Sequence, residues 1–269
     1  MKLAKLVTVA GVVSCAGCCL TSALGQSFSE DFSGGNDSAF THYDPIGTAL
    51  SNPGMGGSWL VGGGEYQIWA SPSPLPSVLG PGRAGSVING FSAGDYKVSY
   101  DLVAFSAEQP MFAGVATRVA EIGPGTTDGY VLGYDNSGSK GLFISKVVNE
   151  GVTAVIATTP VTLDRSTSYR FEFTLKGSSL SGKVFDRSNL ATPLATIAGT
   201  DTSYTTGEAM LLTASNSSAV GTFASADFAN ISITPVPEPA TCASLAGLGL
   251  MAFAGFRRWR TGRAASTQA

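Results

Sequence analysis

The chain's nineteen carboxylates are the groups that could do acid–base chemistry, and their spacing argues against it. Acid–base cleavage of a glycosidic bond needs two carboxyls about 5–9 Å apart. On a β-strand such a pair falls at alternate positions, which face the same way. No Glu-x-Asp-x-Glu or Glu-x-Asp-x-x-Glu run occurs. Glu30 and Asp31 are adjacent and so point to opposite faces, and Asp95 and Asp101 stand too far apart along a strand. Glu172, between Arg170 and Thr174, reads as the acidic half of a surface ion pair. His42 is the only histidine, with no serine or cysteine nucleophile motif beside it, and reads as a surface or packing residue. Gly62-Gly63-Gly64 opens no helix and is a turn, not a phosphate loop. Asp128, Asp135 and Asn136 could offer oxygens to calcium, although turns call for the same residue types. We therefore expect no catalytic residue, no cofactor and no metal, calcium on those three residues being the one exception. The aromatic residues give the better hint. Trp59 and Trp69 share one segment with Tyr43 and Tyr66. Sugar rings stack on aromatic faces, and tryptophan offers the largest. The competing reading packs both indoles under the long proline-rich loop as a satellite core.

The two ends of the chain carry a different kind of information. Lys2 and Lys5 precede a mostly apolar Leu6–Leu20 run, and Ala23-Leu24-Gly25 supplies small residues where a signal peptidase reads. Residues 1–25 are expected to be a secretory signal helix cut before Gln26. A rival reading lipidates Cys15 after Val12-Val13-Ser14. Cys15, Cys18 and Cys19 lie inside this signal and Cys242 inside the distal apolar run, so none of the four cysteines stays in the exported body. At the far end, Val236-Pro237-Glu238-Pro239 is followed by the uncharged run Ala240–Phe256 and by Arg257, Arg258, Arg260 and Arg263. The run would span about 25 Å as a helix, at the short end of what crosses a bilayer. The arginines would stop transfer and keep that end in the cytoplasm.

This order of an extended Pro-Glu-Pro strip, an apolar span and a basic stop resembles the PEP-CTERM sorting signal of bacterial proteins handled by exosortase. The resemblance covers residues 235–263, with residues 264–269 left as a cytoplasmic tail. It implies a transient inner-membrane anchor, recognised by an exosortase-type membrane protease and removed near the motif. It further implies export by the general machinery, with signal peptidase as an earlier partner, and a final place at the cell surface or in the extracellular matrix. The alternative is an ordinary C-terminal anchor.

Between the signals, residues 26–234 hold ten Lys and Arg against eighteen Asp and Glu, a net charge of −8 that the whole-chain value of −3 hides. Such a body lacks the basic footprint that nucleic acid needs. Without cysteine it must hold itself by its core, which at this size it can. The strand signals are short and regular. They predict strands at Phe28–Phe32, Ser58–Val61, Glu65–Trp69, Tyr96–Leu102, Phe112–Val119, Tyr130–Asp135, Leu142–Val148 and Thr153–Thr158. Others follow at Tyr169–Leu175, Leu180–Phe185, Leu194–Ile197, Ala209–Thr213 and Ala226–Ile233. Ser33–Gly85 is otherwise expected to be loop, and no internal helix is expected. Three stretches carry a second resemblance. They are Glu30-Asp31-Phe32 at the opening, Tyr-x-Phe-x-Phe-x-Leu-x-Gly-x-x-Leu-x-Gly-x-Val-x-Asp over Tyr169–Asp186, and Asp227–Ile233 at the close. Together they resemble concanavalin A-like lectin and glucanase jelly rolls.

That resemblance implies an all-β, antiparallel two-sheet sandwich whose first and last strands pair. Glycan-cleaving members of such folds carry paired carboxylates on one strand, which this chain lacks. The leading expectation is a non-catalytic, lectin-like sandwich with an extracellular polysaccharide as partner. The alternatives are a glycan-acting hydrolase of the same fold and a purely structural envelope protein.

Overall fold

The computed structural model describes residues 26–106, 111–136, 141–215, 223–236 and 251. The expected signal helix and its Cys15, the apolar span apart from Met251, and the sorting and stop-transfer residues Pro237, Glu238, Pro239, Arg257, Arg258, Arg260 and Arg263 lie outside them. Among the described residues, no helix is long and apolar enough to cross a membrane. Gln26–Val236 is one compact unit and holds every described strand and both apolar clusters.

Among the described residues, fifteen strands form two antiparallel sheets stacked as a jelly-roll-like sandwich. The first half contributes β1 (Phe28–Glu30), β2 (Phe40–Tyr43), β3 (Gly57–Gly62), β4 (Glu65–Ala70), β5 (Arg83–Ile88), β6 (Tyr96–Phe105) and β7 (Met111–Ala120). The second contributes β8 (Asp128–Asp135), β9 (Gly141–Val148), β10 (Gly151–Pro160), β11 (Tyr169–Lys176), β12 (Ser179–Asp186), β13 (Ala195–Thr200), β14 (Glu208–Ser215) and β15 (Ala224–Pro235). The first sheet runs β13-β12-β11-β6-β15-β4-β3, with β1 added to β15; the second runs β10-β9-β8-β7-β14-β5-β2. Both β4 and β1 pair with β15, β4 with Ala224–Phe228 and β1 with Ile231–Ile233. The expected neighbourhood of the first and last strands is present, with Phe28 opposite Ile233.

Alternation builds the core. Tyr169, Phe171, Phe173 and Leu175 all point between the sheets and are buried, while Arg170, Glu172 and Thr174 point out. Glu172 pairs with Lys97 at 3.4 Å, as a surface residue would. The hairpin β11–β12 turns at Gly177, whose φ of 54° lies in the left-handed region that glycine enters without strain.

The stretch expected to be loop between Ser33 and Gly85 departs from expectation. It contains β2, and β5 begins within it. The β5 sequence Arg-Ala-Gly-Ser-Val-Ile is built of small residues that give little strand signal. Its glycine is needed because a Cβ on Gly85 would stand 2.6 Å from the Leu211 carbonyl oxygen. Two short helices also interrupt the body where none was expected: α1 (Pro45–Ala49) and α2 (Pro76–Leu79). Each opens with proline at its first turn, where the missing N–H costs nothing. In α1 the Asp44 carboxylate accepts from the Gly47 N–H at 2.8 Å.

Two buried charges tie the sandwich together. On the outer face of the first sheet, Asp101 accepts two hydrogen bonds from Arg170, one from Arg187 at 2.9 Å and one from Asn230 at 2.8 Å. Asn230 reaches it from a bulge in β15, at φ 48°. Burial opposes ionisation of Asp101, but the bonds from Arg170 and Asn230, the Arg170 charge and the Arg187 bond outweigh it. The carboxyl is held below the usual carboxylate range. Its contribution to stability is complete above the unfolded value of about 3.9 and is lost as pH falls through the lower folded value. Asp101→Asn should therefore cost about 3 kcal/mol at pH 7 in urea titrations, and the penalty should shrink below about pH 4. A penalty independent of pH would show that the carboxylate is not the source.

The second charge is Arg118, whose side chain is 1% exposed. The strand register slips here against both neighbours, and Arg118 sits at φ 48°. The bulge turns the guanidinium inward. It donates to the carbonyls of Gly94, Gly177 and Tyr204 at 2.8–2.9 Å and to Asp95 at 3.2 Å.

Candidate functional site

The outer face of the second sheet is a groove of about 960 Å³. Its floor comes from alternate residues of neighbouring strands: Phe112 and Ala116 of β7, Val131 of β8, Phe143 and Val147 of β9, and Met210 and Leu212 of β14. These form an apolar cluster separate from the main core. Ala116, Val131 and Met210 are buried beneath the half-exposed rings of Phe112 and Phe143, which meet edge to face at 5.9 Å. Gly133 lies directly opposite Phe143 in the ladder, and a Cβ there would stand 3.0 Å from the phenyl ring. The glycine is what lets the ring lie across β8. Val78, Leu79 and Pro81 wall one flank, and Val152 and Val155 of β10 the other.

One end of the groove is polar and tightly knit. Arg83 donates to both oxygens of Glu150, at 3.2 and 2.8 Å. The Tyr43 hydroxyl and the Gly125 N–H donate to the same carboxylate. Burial, and then the Glu150 charge, push the Tyr43 phenol well above its ordinary value, so it remains a donor. Thr127 lies 3.1 Å from the Tyr43 hydroxyl. Glu150 is thus consumed in closing the end of the groove rather than poised for proton transfer.

The four aromatic residues singled out in the sequence are not brought together. Tyr43 lines the groove. Tyr66 is fully buried, its hydroxyl between Ser86 at 2.7 Å and Asp37 at 3.2 Å. Trp59 pairs with Ile68, and Trp69 with Ser58, so the two indoles point to opposite faces of the β3–β4 hairpin. Trp59 is half-buried against the core, donates to the Gly85 carbonyl at 3.0 Å and carries the His42 ring stacked on it at 4.1 Å. His42 Nε2 lies 2.6 Å from Asp37 Oδ2. Ser86, the serine at the end of that chain of bonds beyond Tyr66, is fully buried. It has no access for attack on a substrate. Trp69 emerges on the outer face of the first sheet, against Phe223.

The three residues offered to calcium do not converge. Asp128 and Asp135 are the two ends of β8, about 23 Å apart at the rise of a strand. Asn136 uses its side chain on the Met111 N–H and the Ser106 carbonyl. Among the described residues, no three of His, Cys, Asp and Glu gather as metal ligands. The groove itself was not visible in the sequence. Its only local signals were strands apolar on both faces, such as Met111–Val119, where simple alternation fails.

Comparison with known proteins bears on both parts of the chain. Residues 235–258 match a family described as the PEP-CTERM protein-sorting motif. The chain carries a PEP-CTERM sorting signal. The motif supports export with membrane-anchored sorting and implies processing by exosortase. No curated protein sequence matches the chain. The sandwich is similar in structure to the carbohydrate binding module CBM66 from Bacillus subtilis (14% identity, 74% of this chain and 97% of that one, TM-score 0.51). It is also similar to a prokaryotic β-1,3-1,4-glucanase from a mouse hindgut metagenome (16%, 78% and 100%, 0.53). Lectin II from Ulex europaeus is a third neighbour (10%, 78% and 98%, 0.51). These likenesses establish a concanavalin A-like lectin and glucanase fold and extend over almost the whole of each neighbour. They include both enzymes and non-enzymatic binding proteins.

Proposed function

We propose that the PEP-CTERM chain is an exosortase-processed surface or matrix protein whose sandwich holds a neutral polysaccharide chain in the second-sheet groove without cleaving it. The observation that carries this reading is a walled groove whose floor bears no carboxylate pair. Asp128 and Asp135 stand at opposite ends of β8, far beyond the roughly 5–9.5 Å over which two carboxyls can share a glycosidic bond, and Glu150 is engaged by three donors. Half-exposed Phe112 and Phe143 offer ring surface to sugar C–H faces. The net charge of the body disfavours an anionic glycan. The glucanase likeness keeps hydrolysis as the second reading.

The test is calorimetric titration of residues 26–236 with soluble mixed-linkage β-1,3-1,4-glucan, run beside an assay for new reducing ends. Binding without reducing-end release is expected. Phe143→Ala should weaken binding about tenfold, the equivalent of roughly 1.4 kcal/mol. Release of reducing ends would favour the hydrolase, and unchanged binding by Phe143→Ala would move the site elsewhere.

The sorting part of the proposal rests on chain order. The last strand ends at Pro235, and the Val236 N–H donates to the Asp95 carbonyl at 3.1 Å. Pro237 follows at once. Cleavage near Pro237-Glu238-Pro239 would therefore leave every strand of the sandwich complete. Mass spectrometry of the mature protein from its host should find no major species retaining Arg257–Ala269. Neutral replacements of Arg257, Arg258, Arg260 and Arg263 should abolish retention and processing. Recovery of intact C-terminal peptides as the main form would make the tail an ordinary anchor.

A further inference from the structure

The first sheet carries a second feature that the groove does not use. Strand alternation sends Trp69 and Gln67 of β4 to its outer face, where Ser225 and Asp227 of β15 stand directly opposite them. Ser58 and Leu60 of β3 continue the same face on the other side. Phe223, two residues before Ser225, stacks on the Trp69 indole with ring centroids 5.6 Å apart and planes only 12° from parallel. Three large apolar side chains thus stand together in water: Trp69 is 38% exposed, Phe223 40% and Leu60 64%. The solvated face of an antiparallel sheet is ordinarily polar, and this one is mostly polar elsewhere. Lys97, Ser99, Asp101, Arg170, Glu172 and Thr174 occupy it farther along β6 and β11. A grouped apolar patch with a polar rim marks a contact surface.

We propose that the Trp69–Phe223 pair, with Leu60, Gln67 and Asp227 beside it, is a second carbohydrate site that takes the flat sugar-ring faces of an insoluble, chain-packed neutral polysaccharide. This rests on the carbohydrate reading of the sandwich above but on different residues and the opposite sheet. The outward side of the stacked pair offers an apolar aromatic face, which sugar C–H faces match. The rim supplies what hydroxyls need. The Gln67 amide both donates and accepts, and the Asp227 carboxyl accepts. Burial raises the Asp227 carboxyl against the opposing hydrogen bond from Gln67, which marks it as partly withdrawn from water already. The charge pattern selects the ligand class: the patch holds one carboxylate and no basic residue, in a body of net charge −8, so a polyanion would be repelled. Shape selects its state. The groove is walled and accepts a single chain, whereas an aromatic patch on an open sheet face, without walls, meets a partner that is itself broad and flat.

The experiment uses residues 26–236, the unit that contains both apolar clusters, with microcrystalline cellulose and insoluble chitin as solid probes and the soluble β-glucan as the groove probe. Adsorption of the parent protein to at least one solid is expected. Trp69→Ala and Phe223→Ala should each reduce it tenfold or more while leaving soluble-glucan binding unchanged, and Phe143→Ala should do the reverse. In a Trp59→Phe background, Trp69 is the sole tryptophan of this piece, and its emission should shift on adsorption. The proposal is overturned if the parent adsorbs to neither solid or if Trp69→Ala adsorbs as the parent does. It is also overturned if the main effect of Trp69→Ala is to dissociate a dimer in sedimentation, which would make the patch a contact between copies. Loss of soluble-glucan binding alone would count against the groove and not against this patch.

Discussion

Replacing Arg118 with alanine is expected to cost about 4 kcal/mol or more, the sum of several buried polar groups losing their donors at once. The guanidinium is the common donor for the Gly94, Gly177 and Tyr204 carbonyls and an ion-pair partner of Asp95. Gly177 is the tip of the β11–β12 hairpin, while Gly94 precedes β6 and Tyr204 precedes β14. Three connections of the two sheets are therefore fastened to one side chain. Arg118→Lys should recover little, since an ammonium cannot reproduce the planar fork that reaches three carbonyls. Urea unfolding followed by fluorescence measures the loss. A cost below about 1 kcal/mol would mean that water replaces the guanidinium without penalty and that this knot is not structural.

Phe171→Ala should destabilise by about 3–5 kcal/mol. The ring is fully buried at the centre of β11 and stacks on Tyr100 of β6 with centroids 5.2 Å apart and planes 8° from parallel. Its strand is hydrogen-bonded on both sides, to β6 and β12, so the backbone has little freedom to collapse into the vacated space. The expected signature is a lower urea midpoint with an unchanged slope, because the same surface is still exposed on unfolding. A smaller cost with a changed slope would place the effect in the unfolded ensemble instead.

The two substitutions differ in what the sequence reveals about them. Phe171 belongs to a run in which apolar and polar residues alternate without exception from Tyr169 to Leu175, and that period is sufficient to assign strand, face and burial. The same reasoning reaches Phe28 and Ile233 and, with the family resemblance, their pairing. Arg118 sits in a run of small and apolar residues that reads as an ordinary strand. Its inward turn depends on a bulge produced by mismatch against β8 and β14 together, and neither partner is visible locally. Asp101 is similar. It looks like one polar member of an alternating strand, and only the arrival of Arg170, Arg187 and Asn230 from three other elements makes it a buried ion cluster.

The aromatic pair shows the limit most plainly. Trp59 and Trp69 are close in sequence and lie on adjacent paired strands, yet a ladder with Ser58 opposite Trp69 sends them to opposite faces. A register displaced by one residue would have put them together, because side chains alternate with a period of two. Tyr66, expected at the ligand face, is core, while Phe223, more than 150 residues away in sequence, stacks on Trp69. The groove has the same character. Its floor draws one or two residues from each of β7, β8, β9 and β14, and those strands are apolar on both faces, so periodicity cannot separate the core side from the ligand side.

By itself, then, the sequence determined what is written in order along the chain. The sorting tail is a linear string of residue types, the body's acidity is a count, and strands such as Tyr169–Leu175 are a period of two. The tertiary structure alone decided which side chains meet. Groove, ion clusters and aromatic platform each depend on register and bulges between strands separated by tens to more than a hundred residues, and hydrogen-bonded register is a property of pairs of strands, not of either one.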